Sequence, residues 1–355
     1  MPSEFCNEPC AKVFSSMTDR YSRQTLFGGI GPEGQRRLAD SRLLIVGCGA
    51  LGASHAETLA RAGVGFIRLA DRDFVESSNL QRQTLYSESD AAERLPKAVA
   101  AKRRLAEVNS EVEIDARVVD VNCSNIEALI SDIDVILDGT DNFEVRYLLN
   151  DVAIKHGVPW IYGAAVSSYG TTMTVIPGET PCLRCVFEEM PPVGSAPTCD
   201  TAGVIQPIIT TISAVQTTEA LKLLTGRRDL LHGSLMQFDV WKNDWRKITL
   251  SDRDPQCEAC ANRVFIYLDR EAPIDGIHLC GRDAVQILPH SRVSLDLVGL
   301  AARIGASCET KVNEYLLRFN CDGLEATVFQ DGRAIVRGTD DLAVARSLYS
   351  RYIGS

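Results

Sequence analysis

The N-terminal part of the chain alternates short predicted strands with longer amphipathic stretches, up to about residue 160. The predicted strands are Leu43–Val46, Phe66–Ala70, Glu113–Val118, Val135–Leu137 and Trp160–Tyr162. Apolar residues recur with helical spacing in the stretches between them, which include His55–Ala62, Lys97–Val108 and Val145–His156. Strands that alternate with helices of this length predict a parallel sheet with right-handed crossovers, the Rossmann-like doubly wound α/β class.

After this point the pattern becomes typical of antiparallel strands. The segment SSYGTTMTVIP predicts an antiparallel pair that turns at Tyr169–Gly170. A loop rich in Pro, Gly, Ser and Thr runs from Glu188 to Ala202, and a helix is predicted from about Pro207 to Leu224. The strand LMQFDVW closes this unit, so the parallel sheet is predicted to have an antiparallel continuation.

A composition break near Asp254–Asn262 precedes a smaller C-terminal unit. Its pattern predicts a strand, a helix, another strand, a hairpin turning at Asp331–Gly332 and a last helix capped by Asp340 or Asp341. We therefore predict a flexible tail over residues 1–19, a main domain over residues 20–265 and a small α/β domain of unknown role over residues 266–355.

Composition narrows the classes of function. With 355 residues and 45% hydrophobic content, the chain has ample material for a core. Its net charge of −10 argues against nucleic acid as a partner, because neutralising phosphates needs clustered Lys and Arg. The N-terminus lacks an apolar signal region, and no apolar run is long enough to predict a membrane span. A cytoplasmic location is therefore expected. Twelve cysteines in a reducing compartment suggest metal ligation or thiol chemistry.

The stretch RLLIVGCGALG carries the first candidate site. Gly47, Gly49 and Gly52 have the spacing of a phosphate-binding turn between a strand and a helix. Asp71, at the end of the next strand, is placed to bind ribose hydroxyls. The alternative is a glycine turn needed only for tight packing of helix on strand, and the glycines alone do not identify the nucleotide.

The residues that follow favour a triphosphate. Asp73, Asn79, Arg82 and Gln83 come soon after Asp71, and Lys97 begins a predicted helix. A triphosphate needs such contacts, because its charge must be neutralised before an anion attacks the α-phosphate. Taken singly, each cation is also compatible with a solvated surface charge. An NAD-dependent oxidoreductase using the same loop therefore remains an alternative, although no convincing hydride-transfer residues are present.

The motif DGTDN follows a predicted strand, at the edge where ligands bind in open α/β sheets. Asp141 is suited to hold Mg²⁺ against phosphate oxygens. The alternative role for Asp141 is to cap the next helix, and both roles are compatible.

Two CxxC pairs predict a metal site. Cys182 with Cys185, and Cys257 with Cys260, supply the four thiolates of a structural zinc site. An iron–sulfur cluster and unliganded thiols are the alternatives.

The chain resembles the ubiquitin-activating-enzyme superfamily, and within it the MoeB/ThiF group, in its combined motifs. These motifs are YSRQTLFGGIGPEGQRRL, GCGALG, DRDFVESSNLQRQ, the lone Lys97 and DGTDN. The resemblance covers about Arg20 to Asn262. It implies an adenylyltransferase that uses ATP and Mg²⁺ to adenylate the C-terminal Gly-Gly carboxylate of a ubiquitin-like sulfur-carrier protein and releases pyrophosphate. The implied pathways are thiamine, molybdopterin or thionucleoside synthesis, with a cysteine desulfurase or another protein as sulfur donor. The group also has the same arrangement of four zinc-binding cysteines.

The resemblance also implies roles for individual residues. Gly49 and Asp71 hold the nucleotide, while Asn79, Arg82 and Lys97 contact phosphates and Asp141 binds Mg²⁺. Arg23 resembles an arginine that reaches the partner's ATP site in a homodimer; the alternative is an ordinary surface charge.

Cys199 lies in the polar segment SAPTCDTAGV. In relatives, a cysteine at such a position can receive the activated carrier as a thioester or an acyl disulfide, and in others it is dispensable. The role of Cys6 and Cys10 in the N-terminal tail is open. A non-catalytic zinc-containing scaffold is a third possible function, but the retained Arg23, Arg82, Lys97 and Asp141 argue against it.

Overall fold

The computed structural model describes residues 20–191, 199–270, 277–279, 283–289, 293–305 and 308–354, with the side chains of residues 200 and 277–279 excepted. The predicted tail over residues 1–19, with Cys6 and Cys10, lies outside these residues. The chain divides into two compact units, Met1–Met190 with Val204–Leu268, and Pro191–Gly203 with Asp269–Ser355.

The first unit contains eight strands and most of the helices that the structure describes. The strands are β1 (Arg42–Val46), β2 (Phe66–Asp71), β3 (Glu113–Val118), β4 (Val135–Asp138), β5 (Trp160–Val166), β6 (Tyr169–Val175), β7 (Ser234–Asp239) and β8 (Asp244–Thr249). The helices are α1 (Ser22–Thr25), α2 (Gly31–Asp40), α3 (Ala50–Ala62), α4 (Glu88–Glu93), α5 (Lys97–Val108), α6 (Ile126–Leu129), α7 (Phe143–His156), α8 (Leu183–Val186) and α10 (Gln206–Leu224), with 3₁₀ turns at Ser77–Asn79 and Arg228–Leu230. Helix α9 (Cys199–Ala202) belongs to the second unit.

All eight strands form one sheet in the order β3-β2-β1-β4-β5-β6-β7-β8. The pairs from β3 to β5 are parallel, and those from β5 to β8 are antiparallel. The predicted doubly wound sheet with an antiparallel continuation is therefore confirmed. Strand order reverses between β1 and β4, which places a ligand-binding crevice at the carboxyl ends of these two strands.

Apolar side chains fill both faces of this sheet. On one face Leu44, Val46 and Trp160 share a core with Tyr147 and Leu149 of α7. A second cluster joins Leu51 of α3 to Ile208, Ile209 and Ile212 of α10 and to Phe238 of β7. Near-continuous burial along β1, β2 and β4 is expected of parallel strands covered by helices on both faces.

Two sequence-based expectations for the antiparallel part were wrong. The β5–β6 hairpin turns at Ser167–Ser168, since Val166 pairs with Tyr169, whereas Tyr169–Gly170 was the predicted turn and lies inside β6. Ser167 adopts a positive φ of 57°, the local conformation that a tight hairpin turn requires. The strand LMQFDVW, which is β7, was also expected to close this unit, whereas β8 follows it as an exposed edge strand that pairs only with β7 among the described residues.

The second unit contains a six-stranded antiparallel sheet. Its strands are β9 (Ile277–Leu279), β10 (Ala284–Ile287), β11 (Glu309–Val312), β12 (Leu316–Cys321), β13 (Leu324–Phe329) and β14 (Ala334–Arg337), in the order β11-β12-β13-β14-β10-β9. Helices α11 (Leu297–Ile304) and α12 (Leu342–Tyr352) pack on it around Leu300, Phe319 and Leu348. The hairpin at Asp331–Gly332 and the cap by Asp341 agree with the sequence-based expectation.

Among the described residues, no helix combines the length and apolar character needed to cross a lipid bilayer.

Candidate functional site

The carboxyl ends of β1 and β4 bring the glycine loop and the DGTDN turn together. The N–H of Gly47 donates to Ala70 O at 2.8 Å, and the N–H of Gly139 donates to Val46 O at 2.8 Å. Both loops therefore leave the sheet at the same level. This is the crevice that the topology predicts for a ligand.

The three glycines of the loop differ in what they accommodate. Gly47 has a φ of +86°, and a Cβ on it would lie 2.7 Å from Gly139 O. A Cβ on Gly52 would overlap the carbonyl oxygen of Gly47. Gly49, by contrast, has no protein atom nearer to its Cβ position than Gln83 Nε2 at 3.9 Å. Packing within the chain therefore explains Gly47 and Gly52, while the open space beside Gly49 is available to a ligand.

Asp71, the predicted ribose ligand, is buried and braces the glycine loop. Its carboxylate accepts hydrogen bonds from Cys48 N at 2.5 Å and Asp73 N at 2.6 Å. Burial raises the pKa of Asp71, and the nearby Lys97 ammonium opposes this shift. Each carboxylate oxygen can accept a further hydrogen bond, so bracing the loop and binding a ribose hydroxyl are compatible.

Lys97 starts α5 with its ammonium buried at the same edge of the sheet. It lies 3.2 Å from Asp73 Oδ2, and its backbone N–H donates to Asp73 O at 2.9 Å. Arg72, which the sequence reading did not single out, contacts Asp120 at 2.9 Å. The carboxylates of Asp120, Asp73 and Asp141 raise the pKa of Arg72 above its usual value, although burial acts in the opposite direction. The structure thus gathers Asp71, Asp73 and Lys97 as predicted and adds a second cation.

The 79–86 segment carries the other predicted phosphate contacts. Asn79 is buried, and its side-chain oxygen accepts from Glu76 N at 3.3 Å, so it stabilises the local turn. Arg82 is half-buried and donates to Ser78 O at 3.0 Å. Gln83 is buried, with its Oε1 lacking a hydrogen-bond partner within the described structure. Because the Nε2 of the same amide lies 3.9 Å from the Cβ position of Gly49, this side chain can offer hydrogen bonds to a polar ligand at the glycine loop.

The DGTDN turn is shaped by a buried ion pair that the sequence reading missed. Asp138 Oδ2 lies 3.2 Å from Arg146 Nε, while its Oδ1 accepts from the hydroxyl and the N–H of Thr140. Burial raises the pKa of Asp138, and the positive charge of Arg146 opposes this shift. Because Arg146 also donates to Thr140 O at 2.7 Å, the ion pair fixes the path of the turn.

The helix-capping alternative for Asp141 is wrong, because Asn142 caps α7. Asn142 Oδ1 accepts from Glu144 N at 2.8 Å and from Val145 N at 3.5 Å. Asp141 is exposed at the mouth of the crevice, and its charge acts on Arg72 and Arg146. Its carboxylate therefore has the exposure that a magnesium ligand needs.

Gln216 on α10 is a further residue that the sequence reading did not find. Its Nε2 donates to the backbone oxygens of Asp138 and Ile161, both at 3.1 Å, and its Oε1 pairs with His55 Nε2 at 2.9 Å. Burial lowers the pKa of His55 to about 4, so this histidine is neutral at physiological pH. These buried bonds fix the ends of β4 and β5 to α3 and α10.

Arg23 makes no hydrogen bond or ion pair with the glycine loop within the described residues, and Cys199 is described only within its own unit. Arg23 lies on the short helix α1 and is exposed, close in sequence to the exposed side chains of Leu26 and Phe27. Cys199 begins α9, is partly exposed and belongs to the second unit.

The four predicted metal-ligating cysteines meet at one point. Sulfur–sulfur distances are 3.8 Å for Cys182–Cys185, 3.6 Å for Cys182–Cys257 and 3.4 Å for Cys185–Cys260. Thiolates about 2.3 Å from a tetrahedral zinc ion stand about 3.8 Å apart, so the donor set and spacing fit zinc. A hydrogen bond from Cys182 lowers the pKa of Cys185, whereas neighbouring sulfurs and burial raise the pKa of Cys182 and Cys260, so holding all four as thiolates requires the charge of the metal ion itself.

A polar groove of about 540 Å³ lies beside this cluster. Thr174, Glu179, Asp252, Arg253 and Cys260 are among its lining residues. None of the groove residues belongs to the glycine loop or the DGTDN turn. We therefore assign the chemistry to the crevice at β1 and β4, where buried charges converge, and not to this groove.

Comparisons with known proteins agree with this fold. The family model described as the ThiF family matches residues 21–259. The chain is 46% identical over 340 residues to the sulfur carrier protein ThiS adenylyltransferase of Bacillus subtilis (strain 168), which covers 95% of this chain and 100% of the relative. It is 38% identical to the SAMP-activating enzyme E1 of Haloferax volcanii, covering 69% of this chain and 90% of the relative. It is 36% identical to the adenylyltransferase and sulfurtransferase MOCS3 of Drosophila ananassae, covering 78% of this chain and 61% of the relative.

Solved structures are similar in fold. A crystal structure of E. coli MccB has a TM-score of 0.61 at 20% identity and covers 76% of this chain and 84% of that chain. A crystal structure of E. coli MccB with ATP has a TM-score of 0.60 at 20% identity and covers 73% of this chain and 83% of that chain. The chain is an α/β protein with a glycine loop at the switch point of its sheet. It belongs to the ThiF family, as the resemblance in its motifs predicts.

We expect Gly49→Ala to weaken ATP binding by about tenfold or more, because the new methyl group occupies the space that a phosphate needs. The φ of Gly49 is −69°, and no protein atom obstructs a Cβ there, so the variant should fold normally. Calorimetric titration with ATP and circular dichroism measure the two effects. Gly28→Ala is the matched control, since a Cβ there also meets no atom within 4 Å. ATP binding by Gly49→Ala equal to that of the wild type would show that no phosphate contacts this glycine.

Proposed function

We propose that this protein adenylates the C-terminal Gly-Gly carboxylate of a ubiquitin-like sulfur-carrier protein, using ATP and Mg²⁺ and releasing pyrophosphate. The observation that carries the proposal is the open space beside Gly49, next to the buried Asp71 and Lys97 and the partly exposed Asp73. The exposed Asp141 lies on the neighbouring DGTDN turn. The adenylyltransferase names of the relatives in Bacillus and Drosophila support the same reaction.

The reaction places few demands on proton transfer. A carboxylate oxygen of the carrier attacks the α-phosphorus of ATP and forms an acyl–oxygen–phosphorus bond. The bond from the α-phosphorus to the bridging oxygen of the β-phosphate breaks, and pyrophosphate leaves with that electron pair. The attacking group is already ionised at neutral pH, so the site needs no general base. Its main tasks are positioning and charge neutralisation.

The crevice residues fit these two tasks. The N-terminus of α3 directs backbone N–H groups towards the space beside Gly49, where we place the phosphates. Asp71 binds the ribose, while Asn79, Arg82 and Lys97 contact phosphate oxygens. Lys97 is held by Asp73, so its positive charge is already in position when the nucleotide arrives. This preorganisation avoids the cost of ordering a flexible lysine during the reaction.

Asp141 is the residue that we assign to Mg²⁺. Its carboxylate is exposed and does not cap a helix, and oxygen ligands suit this ion. Bound there, Mg²⁺ supplies positive charge against the phosphate oxygens. Arg146 and Asp138 set the path of the turn and thereby the position of Asp141.

We propose a homodimer in which Arg23 reaches the ATP site of the partner protein. Arg23 is exposed and makes no ion pair within the described structure, and its neighbours Leu26 and Phe27 expose 76% and 65% of their surface. Adjacent exposed apolar side chains of this size are typical of an interface.

A cysteine desulfurase or a similar protein is the proposed sulfur donor. A thiamine-type carrier is the first candidate for the carrier protein, because of the 46% identity to the ThiS adenylyltransferase.

We assign the four-cysteine site to structural zinc. Cys182 and Cys185 flank the start of α8, while Cys257 and Cys260 come from the segment after β8. A closed tetrathiolate site leaves no position for a substrate, so its contribution is to stability.

The cytoplasmic location expected from the sequence stays a prediction.

Cys199 is the proposed acceptor of the activated carrier. Its sulfur attacks the acyl carbon of the adenylate and expels AMP, leaving a thioester. We expect Cys199→Ala to keep pyrophosphate exchange within about twofold of the wild type, because the thiol acts after adenylation. The variant should lose the thiol-labile adduct between carrier and enzyme, which mass spectrometry detects. If the same adduct forms without Cys199, the thioester role is wrong while adenylation stands.

Exchange of labelled pyrophosphate into ATP tests the proposed reaction. Purified protein is incubated with ATP, Mg²⁺ and candidate β-grasp proteins that end in Gly-Gly. Exchange should depend on the carrier and disappear when its last glycine is removed. Tight NAD binding together with no exchange for any carrier would contradict the proposal.

A further inference from the structure

The backbone of Cys48, between the first two glycines of the loop, is held from both sides. Its N–H donates to Asp71 Oδ2 at 2.5 Å, and its carbonyl oxygen accepts from the hydroxyl of Tyr86 at 2.7 Å. Cys48 is 1% exposed and Tyr86 is 8% exposed, so water does not compete for these bonds. The two bonds act on the two peptide groups that flank the Cys48 Cα.

Tyr86 belongs to the segment that carries the proposed phosphate contacts. The backbone N–H groups of Arg82 and Gln83 donate to Asn79 O at 3.1 Å and 3.0 Å. The N–H of Tyr86 donates to Gln83 O at 3.2 Å. These successive bonds make the 79–86 segment a continuous bonded turn. The Tyr86 hydroxyl joins this turn to the glycine loop, although the two are separated along the chain by α3 and β2.

The side chain of Cys48 contributes no charge to this arrangement. Burial raises the pKa of its thiol well above the usual value, and the negative charge of Asp71 adds to the shift. The thiol is therefore neutral at physiological pH. Cys48 therefore contributes to the loop through the hydrogen bonds of its backbone N–H and carbonyl groups.

We propose that Tyr86 is a positioning residue whose hydroxyl aligns the glycine loop with the 79–86 segment for binding the phosphates of ATP. The inference rests on the proposed function, since it assumes that ATP occupies this crevice. Without the Tyr86 hydroxyl, the peptide group between Cys48 and Gly49 loses this bond and can rotate, which redirects the N–H of Gly49 at the start of α3. The phosphates meet groups from both the loop and the turn, so their affinity depends on the relative position of the two. The adenine and ribose do not need this alignment to the same degree, because Asp71 keeps its own bonds to the loop.

Tyr86→Phe is the direct test, because it removes the hydroxyl and keeps the ring. Tyr349→Phe is the matched control: Tyr349 donates to Gly332 O at 2.6 Å, is 9% exposed and belongs to the second unit. Both variants leave a buried carbonyl without its donor, so both should lose some thermal stability. Binding of ATP and of adenosine is measured for both by calorimetry, at a temperature where circular dichroism shows them folded.

We expect Tyr86→Phe to weaken ATP binding about tenfold and adenosine binding less than about threefold. Pyrophosphate exchange should show a raised KM for ATP with a smaller change in kcat. Tyr349→Phe should bind both ligands as the wild type does. A purely structural role for Tyr86 predicts a lowered Tm with an unchanged ratio of ATP to adenosine affinity, and that result overturns the inference. If the wild type itself does not bind ATP, the proposed function fails first, so the two failures are distinguishable.

Discussion

Asp141→Ala is expected to lower carrier-dependent pyrophosphate exchange by about 10²–10³-fold or more while leaving the protein folded. The carboxylate lies at the mouth of the crevice, where we place Mg²⁺ and the phosphates. Without it, the charge of the triphosphate is not neutralised at the point where the carrier carboxylate approaches. Two anions then repel each other in the transition state, and this repulsion raises the barrier.

The fold should tolerate the change, because the side chain of Asp141 makes no hydrogen bond or ion pair that holds the turn within the described residues. Asn142 caps α7, and the path of the turn depends on Asp138 and Arg146. We therefore expect the melting temperature of Asp141→Ala to stay close to that of the wild type. Asn142→Ala, one residue away, should instead lose about 1 kcal/mol of stability through the missing cap.

Asp229→Ala provides the control for the loss of one exposed carboxylate, since the Asp229 side chain is 65% exposed and lies outside the crevice. It should keep wild-type exchange. If Asp141→Ala exchanges pyrophosphate at the wild-type rate with saturating Mg²⁺, the assignment of this residue to the metal is wrong.

The second large effect is expected at the four-cysteine cluster. Cys182→Ser and Cys257→Ser should each abolish tight zinc binding and destabilise the first unit. Binding of a structural zinc ion contributes a free energy of about 10–16 kcal/mol at neutral pH. The free energy of unfolding of a typical domain has a similar size, about 5–15 kcal/mol. Both residues are also packed against the main core, so the loss of zinc loosens the segments around α8 and after β8.

Metal analysis of the purified protein and its thermal unfolding test this expectation. One zinc ion should be present per wild-type chain, and a strong chelator should lower the melting temperature. Cys123→Ser is the matched control, since Cys123 is a partly buried cysteine outside the cluster. Wild-type protein without zinc, or a Cys182→Ser variant that melts like the wild type, would contradict a structural zinc site.

The sequence allowed the parallel sheet and the glycine loop to be predicted because both depend on local patterns. Buried parallel strands form short apolar runs, and a phosphate turn needs glycine at fixed spacing. The cap of α7 could not be decided in the same way. Asp141 and Asn142 are adjacent, both types cap helices well, and only the backbone geometry selects Asn142.

Other features depend on neighbours that are distant in the chain. Strand β8 is an exposed edge strand with charged residues, so it lacks the apolar alternation that identifies a strand. The bonds from Tyr86 to Cys48 and from Gln216 to Asp138 span 38 and 78 positions, and nothing in the local sequence indicates them. The motifs therefore predict which residues meet at the carboxyl ends of β1 and β4, whereas the residues that hold these turns in position required the structure.

In the proposed reaction the carrier carboxylate itself becomes bonded to the α-phosphorus of ATP. Labelling the C-terminal carboxylate of the carrier with oxygen-18 tests this claim directly. After reaction with ATP and Mg²⁺, added hydroxylamine attacks the acyl carbon and releases AMP. We predict that this AMP contains one oxygen-18 atom from the carrier, because the acyl–oxygen bond breaks and the oxygen–phosphorus bond remains. Unlabelled AMP, formed at the same rate with and without the carrier, would contradict adenylation of the carrier carboxylate.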